Sequence, residues 1–327
     1  MELAAYILVL LVSFVFSLKR RLVDDSLVFF LIFMIVYLSL SVVVRLSGYD
    51  SDIQTYMGAM DFDSYSFYYL KEPVVWIGQR FLYDMLGSKF VVFLVFDAVG
   101  GFFVFAALTR INVPQYLYFS ILLFFPFVMG FQNVYRQWLS MCIFLFAFGT
   151  VYQKHYRLAP VIFIYFPIAV ASHNVSAVFF SLIVLLKRSQ MFKVLSLVIL
   201  LALPVALVFF EGTKSSANTG LDLSLLYVFS ILVFSIFMFL INRRCVNASK
   251  GINFVVCVYI LVVALFSWFF LSSTSSERVS MFGLMVVYVL LAKDIDLRVK
   301  QKFISRVCVS SCGFFPLFVF GTRSFII

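Results

Sequence analysis

Runs of about twenty consecutive apolar residues recur from one end of this chain to the other. Leu27–Val44 is the clearest, with no charged side chain in it. The hydrocarbon core of a bilayer is about 30 Å thick, and a helix of about 20 apolar residues crosses it. Solid runs of this length are the signature of helical spans. A transmembrane β-barrel would instead show segments of about 10 residues with alternating polarity. Composition removes the remaining alternatives. The chain is 64% hydrophobic and 12% charged, with 44 Phe among its 327 residues. A soluble domain carries about 25% charged residues, and this chain lacks the polar surface to cover itself in water. A soluble globular enzyme, a disordered protein and a secreted disulfide scaffold are all excluded.

The expected architecture is therefore all-α, a polytopic integral membrane protein in a single domain over residues 1–327. About twelve spans are expected, near 2–18, 27–46, 89–109, 115–131, 138–152, 158–172, 174–186, 193–210, 223–241, 252–271, 279–292 and 303–320. Those between 138 and 186 are short, so each is a tilted span, a half-helix or a re-entrant segment, and the count falls to ten if they pair. The first run has no Lys or Arg before it, unlike a secretory signal peptide, and is kept as a span. No linker, internal repeat or low-complexity tract divides the chain.

The net charge of +10 is not spread evenly. Lys19-Arg20-Arg21, Arg110, Lys154/Arg157, Lys187-Arg188/Lys193, Arg243-Arg244/Lys250 and Lys293/Arg298/Lys300/Lys302/Arg306 hold 17 of the 25 cations. With alternating spans, all of them fall on one side. The excess of Lys and Arg in cytoplasmic loops makes that side the cytoplasm and turns both termini outward. Short basic clusters between spans are topology signals rather than a nucleic-acid surface, so no nucleic-acid partner is expected. The partner demanded by composition is the lipid bilayer. The five cysteines show no metal-type spacing and read as reduced packing residues, with no disulfide.

The outer side differs. Its longest segment, residues 47–88, mixes Asp50, Asp52, Asp61, Asp63, Glu72 and Asp84 with Tyr49, Tyr56, Tyr65, Tyr68, Tyr69, Trp76 and Tyr83. From Pro73 to Leu86 the apolar residues recur at helical spacing, which predicts an amphipathic helix on the outer interface. Arg45 ends the second span, Arg80 lies in the amphipathic helix, Arg136 opens the fifth span and Arg278 the eleventh. An arginine at a span end reaches water through its long stem at little cost. Guanidinium groups stay ionised and grip phosphate oxygens in pairs, so several in one outward cavity would hold a diphosphate. His173, in ASHNVSA between two short spans, titrates in the range a proton acceptor needs; the alternative is a histidine bonded to backbone at a helix break. His155, in the basic stretch QKHYR, reads as solvated. Asp97 lies ~12 Å into its span at 1.5 Å per residue and must be protonated or paired. The pair Gly100-Gly101 beside it reads as a close helix contact.

The stretch RLSGYDSDIQTY over residues 45–56 resembles the segment after the second span of EpsG-type membrane proteins, which belong with the Wzy-type polysaccharide polymerases. Arg136-Gln137 opening a helix, His173 at a helix junction and Arg278 opening a late span are similar to that family as well. The resemblance implies an all-helical enzyme of the bacterial inner membrane. It would join undecaprenyl-diphosphate-linked oligosaccharide repeats on the periplasmic side, with arginines as its functional residues. It also implies a chain-length-regulating membrane protein and a flippase as neighbours. One departure stands out: the family's arginine-bearing loop in mid-chain has only Lys214, and no Arg, at 211–222 here.

On this reading Arg136, Arg278 and His173 are the catalytic candidates. Arg45, Arg80, Asp50, Asp52, Tyr56 and Asp97 are the substrate-binding ones. Breaking a sugar–diphosphate bond releases a stable anion, and cations that stabilise it leave little covalent chemistry to do. No cofactor or metal is expected; the Asp50–Asp52 triplet has a metal-type spacing but stands alone. The base is His173, with Asp50 and Asp52 as alternatives. The tyrosines and Trp76 either form the interfacial belt or stack on sugars. Three rivals are weighed. A lipid-linked oligosaccharide flippase would show repeats and several midplane polar residues. An O-antigen ligase would carry its large outer loop late in the chain, not at 47–88. A sugar acyltransferase would need an inward His or Arg early on.

Overall fold

A computed structural model of the chain describes residues 1–48, 51–61, 67–153, 158–187, 189–210, 223–243 and 251–314. Every regular element among them is helical. In order they are α1 (Glu2–Ser17), α2 (Ser26–Ser47), α3 (Ser51–Met60), α4 (Pro73–Leu86), α5 (Lys89–Ile111), α6 (Tyr116–Leu123), α7 (Phe125–Gln132), α8 (Tyr135–Tyr152), the single turn α9 (Leu158–Pro160), α10 (Phe166–Ser172), α11 (Phe180–Leu185), α12 (Gln190–Phe210), α13 (Ser224–Asn242), α14 (Ile252–Phe270), α15 (Ser273–Arg298) and α16 (Lys302–Phe314). Within these, Ser26–Ser47, Lys89–Ile111, Ser224–Ile241 and Ile252–Phe270 are long and apolar enough to cross a membrane. Glu2–Ser17, Val161–Ser172, Asn174–Leu185 and Gln190–Leu203 are apolar but shorter.

Local sequence explains where the helices begin and break. The Asp25 carboxylate accepts from the N–H groups of Leu27 and Val28, capping α2 at its first turn. The expected span 115–131 is two helices. Phe124 is extended (ψ 127°) and Pro126 lies in the first turn of α7, where a missing N–H costs nothing. A π-helical turn, Val161–Tyr165, joins α9 to α10 between Pro160 and Pro167. Pro167 has no N–H to return to the preceding turn, which loosens the helix there. Val161–Ser172 and Asn174–Leu185 each run only ~18 Å at ~1.5 Å per residue, short of the ~30 Å core. They are the two arms of a broken helix, joined at extended His173 (φ −161°, ψ 130°).

Packing fixes the directions. α2 and α5 are antiparallel: Phe29 meets Phe105 with ring centroids 5.7 Å apart, and Tyr37 meets Gly101. A Cβ on Gly101 would sit 2.5 Å from the Tyr37 ring, and one on Gly100 would enter the Trp138 indole. These two glycines let α2, α5 and α8 approach closely. α5 and α8 run in the same direction, since Gly100 faces Trp138 at one end and Ala107 faces Gly149 at the other. α15 runs parallel to both. Gln137 reaches the Arg278 carbonyl, Phe144 meets Phe282, and Tyr152 meets Lys293.

The three parallel helices therefore share two chemically different ends. At one end, Lys293 donates to the Ile111 carbonyl (2.6 Å), and Arg306 pairs with buried Asp296 (2.7 Å) while also reaching the Ser17 carbonyl (3.1 Å). Asn253 holds buried Asp294 (2.8 Å). Several cations expected to serve only as topology signals thus also tie helix ends together. Arg136 and Arg278 lie at the opposite end. α4 does more than cover an interface. Gly87, with φ 64° in the left-handed region, turns it back along α5, and Gly78 lies against Phe96. The N-terminus of α4 is thereby carried to the start of α8.

Candidate functional site

The first turn of α8 reads Tyr135-Arg136-Gln137. Successive helical residues point about 100° apart, so three neighbours face three different elements. Tyr135 faces α5, where its hydroxyl donates to Asp97 Oδ1 (2.7 Å). Gln137 faces α15 and donates from Nε2 to the Arg278 carbonyl (2.9 Å). Arg136 faces α3 and the start of α4. This turn holds two polar clusters side by side.

The first cluster is the Arg45–Asp97 pair. Both ends of the Arg45 guanidinium engage the carboxylate: Nε to Oδ2 and Nη2 to Oδ1, each at 2.9 Å. Nη2 also donates to the Phe131 carbonyl (3.3 Å), and Ser41 donates to Oδ2 (2.6 Å). The guanidinium lies 4.4 Å from the Phe131 ring centroid and 4.9 Å from that of Tyr135. Arg45 is 2% exposed and Asp97 0%. The two residues were each expected to line a substrate cavity. The fold turns them toward one another in the interior, where the carboxylate takes bonds from three side chains and every contact described is internal.

The second cluster forms around Glu72, the residue that precedes Pro73 at the start of α4. Its Oε2 is ion-paired with Arg136 Nη1. Its Oε1 lies 3.6 Å from His173 Nε2. Arg136 Nε donates to the Tyr56 hydroxyl (3.1 Å), and the guanidinium lies 4.9 Å from the Trp76 ring and 5.3 Å from the Tyr56 ring. Glu72 and Trp76 share a face of α4, being four residues apart. Trp76 in turn packs edge-on to Tyr56 at 5.1 Å.

His173 is held at the break between α10 and the following turn. Its carbonyl accepts from Ser140 (3.2 Å) and Ser176 (3.1 Å), and Ser140 also holds the Ala169 carbonyl (2.7 Å). Its Nδ1 accepts the Val175 N–H at 3.3 Å. With that lone pair engaged, the neutral ring carries its proton on Nε2, which faces Glu72. Arg278 is tied to the same turn of α8 through its backbone, since its carbonyl accepts from Gln137, the residue next to Arg136. Among the described residues, Arg278 makes no salt bridge of its own.

Of the residues singled out in the sequence, Arg136, His173 and Tyr56 come together here, and the Arg278 carbonyl is held by the neighbouring Gln137. Arg45 and Asp97 come together in the neighbouring cluster. Arg80 pairs with Asp84 one turn along α4 (3.1 Å). Asp50 lies outside the described residues, as do His155 and the 211–222 stretch, and the Asp52 side chain is likewise not described. Among the described residues, no three His, Cys, Asp or Glu side chains gather closely enough to hold a metal ion. Glu72 had no role in the sequence reading beyond its place among the outer acids. Its one signal was local: Glu before Pro at a helix start. That marks an N-terminal position, not the arginine it meets. Tyr135 gave no signal, since an aromatic beside an arginine is common at a helix start, and Gln137 was marked only as part of the Arg136-Gln137 helix opening. No family model, no curated protein and no solved structure matches this chain.

Proposed function

We propose that the protein is a membrane glycosyltransferase of the polysaccharide-polymerase kind. It joins oligosaccharide repeats carried on undecaprenyl diphosphate, at the outer face of the bacterial cytoplasmic membrane. The observation that carries this reading is the Arg136–Glu72–His173 cluster, with the Arg278 backbone bonded to the adjacent Gln137, at the helix ends opposite the basic clusters. Two guanidiniums in a largely desolvated setting suit the charge that develops on a departing diphosphate. Tyr56 and Trp76, beside Arg136, offer the aromatic and hydroxyl surface that sugars use. The apolar helices on either side suit a donor and an acceptor that both carry prenyl tails.

In the reaction, an acceptor hydroxyl attacks the anomeric carbon of the donor. The new C–O bond forms as the bond to diphosphate oxygen breaks, and the electron pair leaves on the phosphate toward Arg136 and Arg278. A chain-length-regulating protein and a flippase fit the same reading as neighbours in the membrane. The test is chain growth by the purified protein in lipid nanodiscs supplied with an undecaprenyl-diphosphate-linked repeat. A ladder of products several repeats long is the expected result. Transfer of the repeat only to a lipopolysaccharide core would make it a ligase, and movement across the bilayer without transfer would make it a flippase.

A further inference from the structure

The proposed reaction requires a group that takes the acceptor's proton, and three features of the second cluster bear on which group that is. His173 faces the site with Nε2, the nitrogen that already carries hydrogen, while Nδ1 is engaged by the Val175 N–H. Protonating such a ring would break that backbone bond and place a further positive charge beside the Arg136 guanidinium. Glu72 is the acid described in contact with Arg136, and it lies between Arg136 and His173, with one carboxylate oxygen directed at each. It is 7% exposed, so it is shielded from bulk water. Finally, Arg136 is already engaged by a carboxylate, since its Nη1 is ion-paired with Glu72.

Resting on the reading of this site as a glycosyl-diphosphate site, we propose that Glu72 is a carboxylate stand-in for the donor's diphosphate and becomes the base when displaced. The incoming diphosphate replaces the Glu72 oxygen at Arg136, and Arg278 takes the second phosphate charge. Freed from Arg136, the carboxylate still faces the Nε2–H of His173, 3.6 Å from Oε1. A carboxylate released from an arginine regains proton affinity, because the opposite charge that favoured its ionised form is now matched by phosphate. It accepts the proton of the acceptor hydroxyl as the hydroxyl oxygen bonds to the anomeric carbon. Proton, new bond and leaving group are all accounted for without a further reactant. The same exchange couples donor binding to activation, since the base is unmasked only when a diphosphate is seated.

The test combines two measurements on the full chain in nanodiscs. Inorganic pyrophosphate binding is followed by calorimetry, and chain extension by gel. Glu72→Gln keeps the shape and removes the competing charge. It is expected to bind pyrophosphate about tenfold more tightly than the wild type, while kcat falls about 10²–10⁴-fold, the usual contribution of a general base. Glu72→Asp, which keeps the charge, is expected to bind pyrophosphate as the wild type does and to recover part of kcat. It carries the test if the Gln variant does not fold. Wild-type chain extension by Glu72→Gln would overturn the role of base, and unchanged pyrophosphate affinity would overturn the displacement. A wild-type protein that neither binds pyrophosphate nor extends chains would instead bring down the glycosyl-diphosphate reading itself, a result separate from either variant's failure.

Discussion

Arg45 and Arg136 look alike in the sequence, each at the outer end of an apolar run, yet the fold uses them in opposite ways. Arg45 turns into the bundle and meets Asp97 with both arms of its guanidinium; Ser41, Tyr135 and the Phe131 carbonyl complete the bonding. Arg136, a helix start away, meets Glu72 at a cluster that His173, Tyr56 and Trp76 share, with the Arg278 carbonyl bonded to the adjacent Gln137. The difference lies in the acid. Asp97 is fixed inside α5, whereas Glu72 is the cap residue at the start of α4. An arginine paired inside a helix packing surface serves stability. An arginine paired with a terminal acid can exchange partners.

The largest expected effect breaks the first pair. Arg45→Ala strands a buried carboxylate, and removing one partner of a buried pair costs about 3–5 kcal/mol. Its melting temperature in detergent and its yield of folded protein should both drop sharply. Replacing both partners together, Arg45→Met with Asp97→Leu, should recover most of that loss. Failure of the double replacement would mean that the pair does more than hold helices together.

The next effect belongs to the second cluster and appears in activity, not stability. Arg136→Lys keeps the charge beside Glu72 but loses the planar fork that grips phosphate. Chain extension should fall about 10²–10³-fold, the range for losing one group that stabilises developing charge, with the melting temperature nearly unchanged. A Lys variant that extends chains normally would reduce Arg136 to a simple counter-ion.

A smaller effect tests the scaffold between the two clusters. Gly101→Ala places a methyl 2.5 Å from the Tyr37 ring. Overpacking of this kind costs about 1–3 kcal/mol, read as a lower melting temperature. Because α2 carries Arg45, this variant should weaken the first cluster's helices while leaving pyrophosphate binding at Arg136 intact.

How much of this was visible beforehand differs between the clusters. Periodicity and apolar runs marked nearly every helix, and the separation of basic clusters from Arg136 and Arg278 follows from where charges fall between spans. The close contact at Gly100-Gly101 was also legible, since paired glycines in an apolar helix have few other uses. The pairing of Arg45 with Asp97 was not. Each residue was marked as polar and deep, but their 52-residue separation gives no clue that two antiparallel helices set them level. Glu72 was hidden for a different reason. Its importance comes from α4 folding back at Gly87, and a turn's direction in space is not written in the residues that the turn brings together. The break at Phe124 and the π-helical turn at Val161–Tyr165 depend on prolines whose effect on an apolar run is hard to locate from hydropathy alone.

The two arginine clusters are separated most directly by Arg278→Ala. Among the described residues Arg278 has no salt bridge, so its removal orphans no described acid and should leave the melting temperature within about 1 kcal/mol of the wild type. Measured on that same folded sample in nanodiscs, chain extension from an undecaprenyl-diphosphate-linked repeat should stop at a single repeat. A full ladder from folded Arg278→Ala would contradict the claim that guanidiniums at this end of the bundle carry the departing diphosphate.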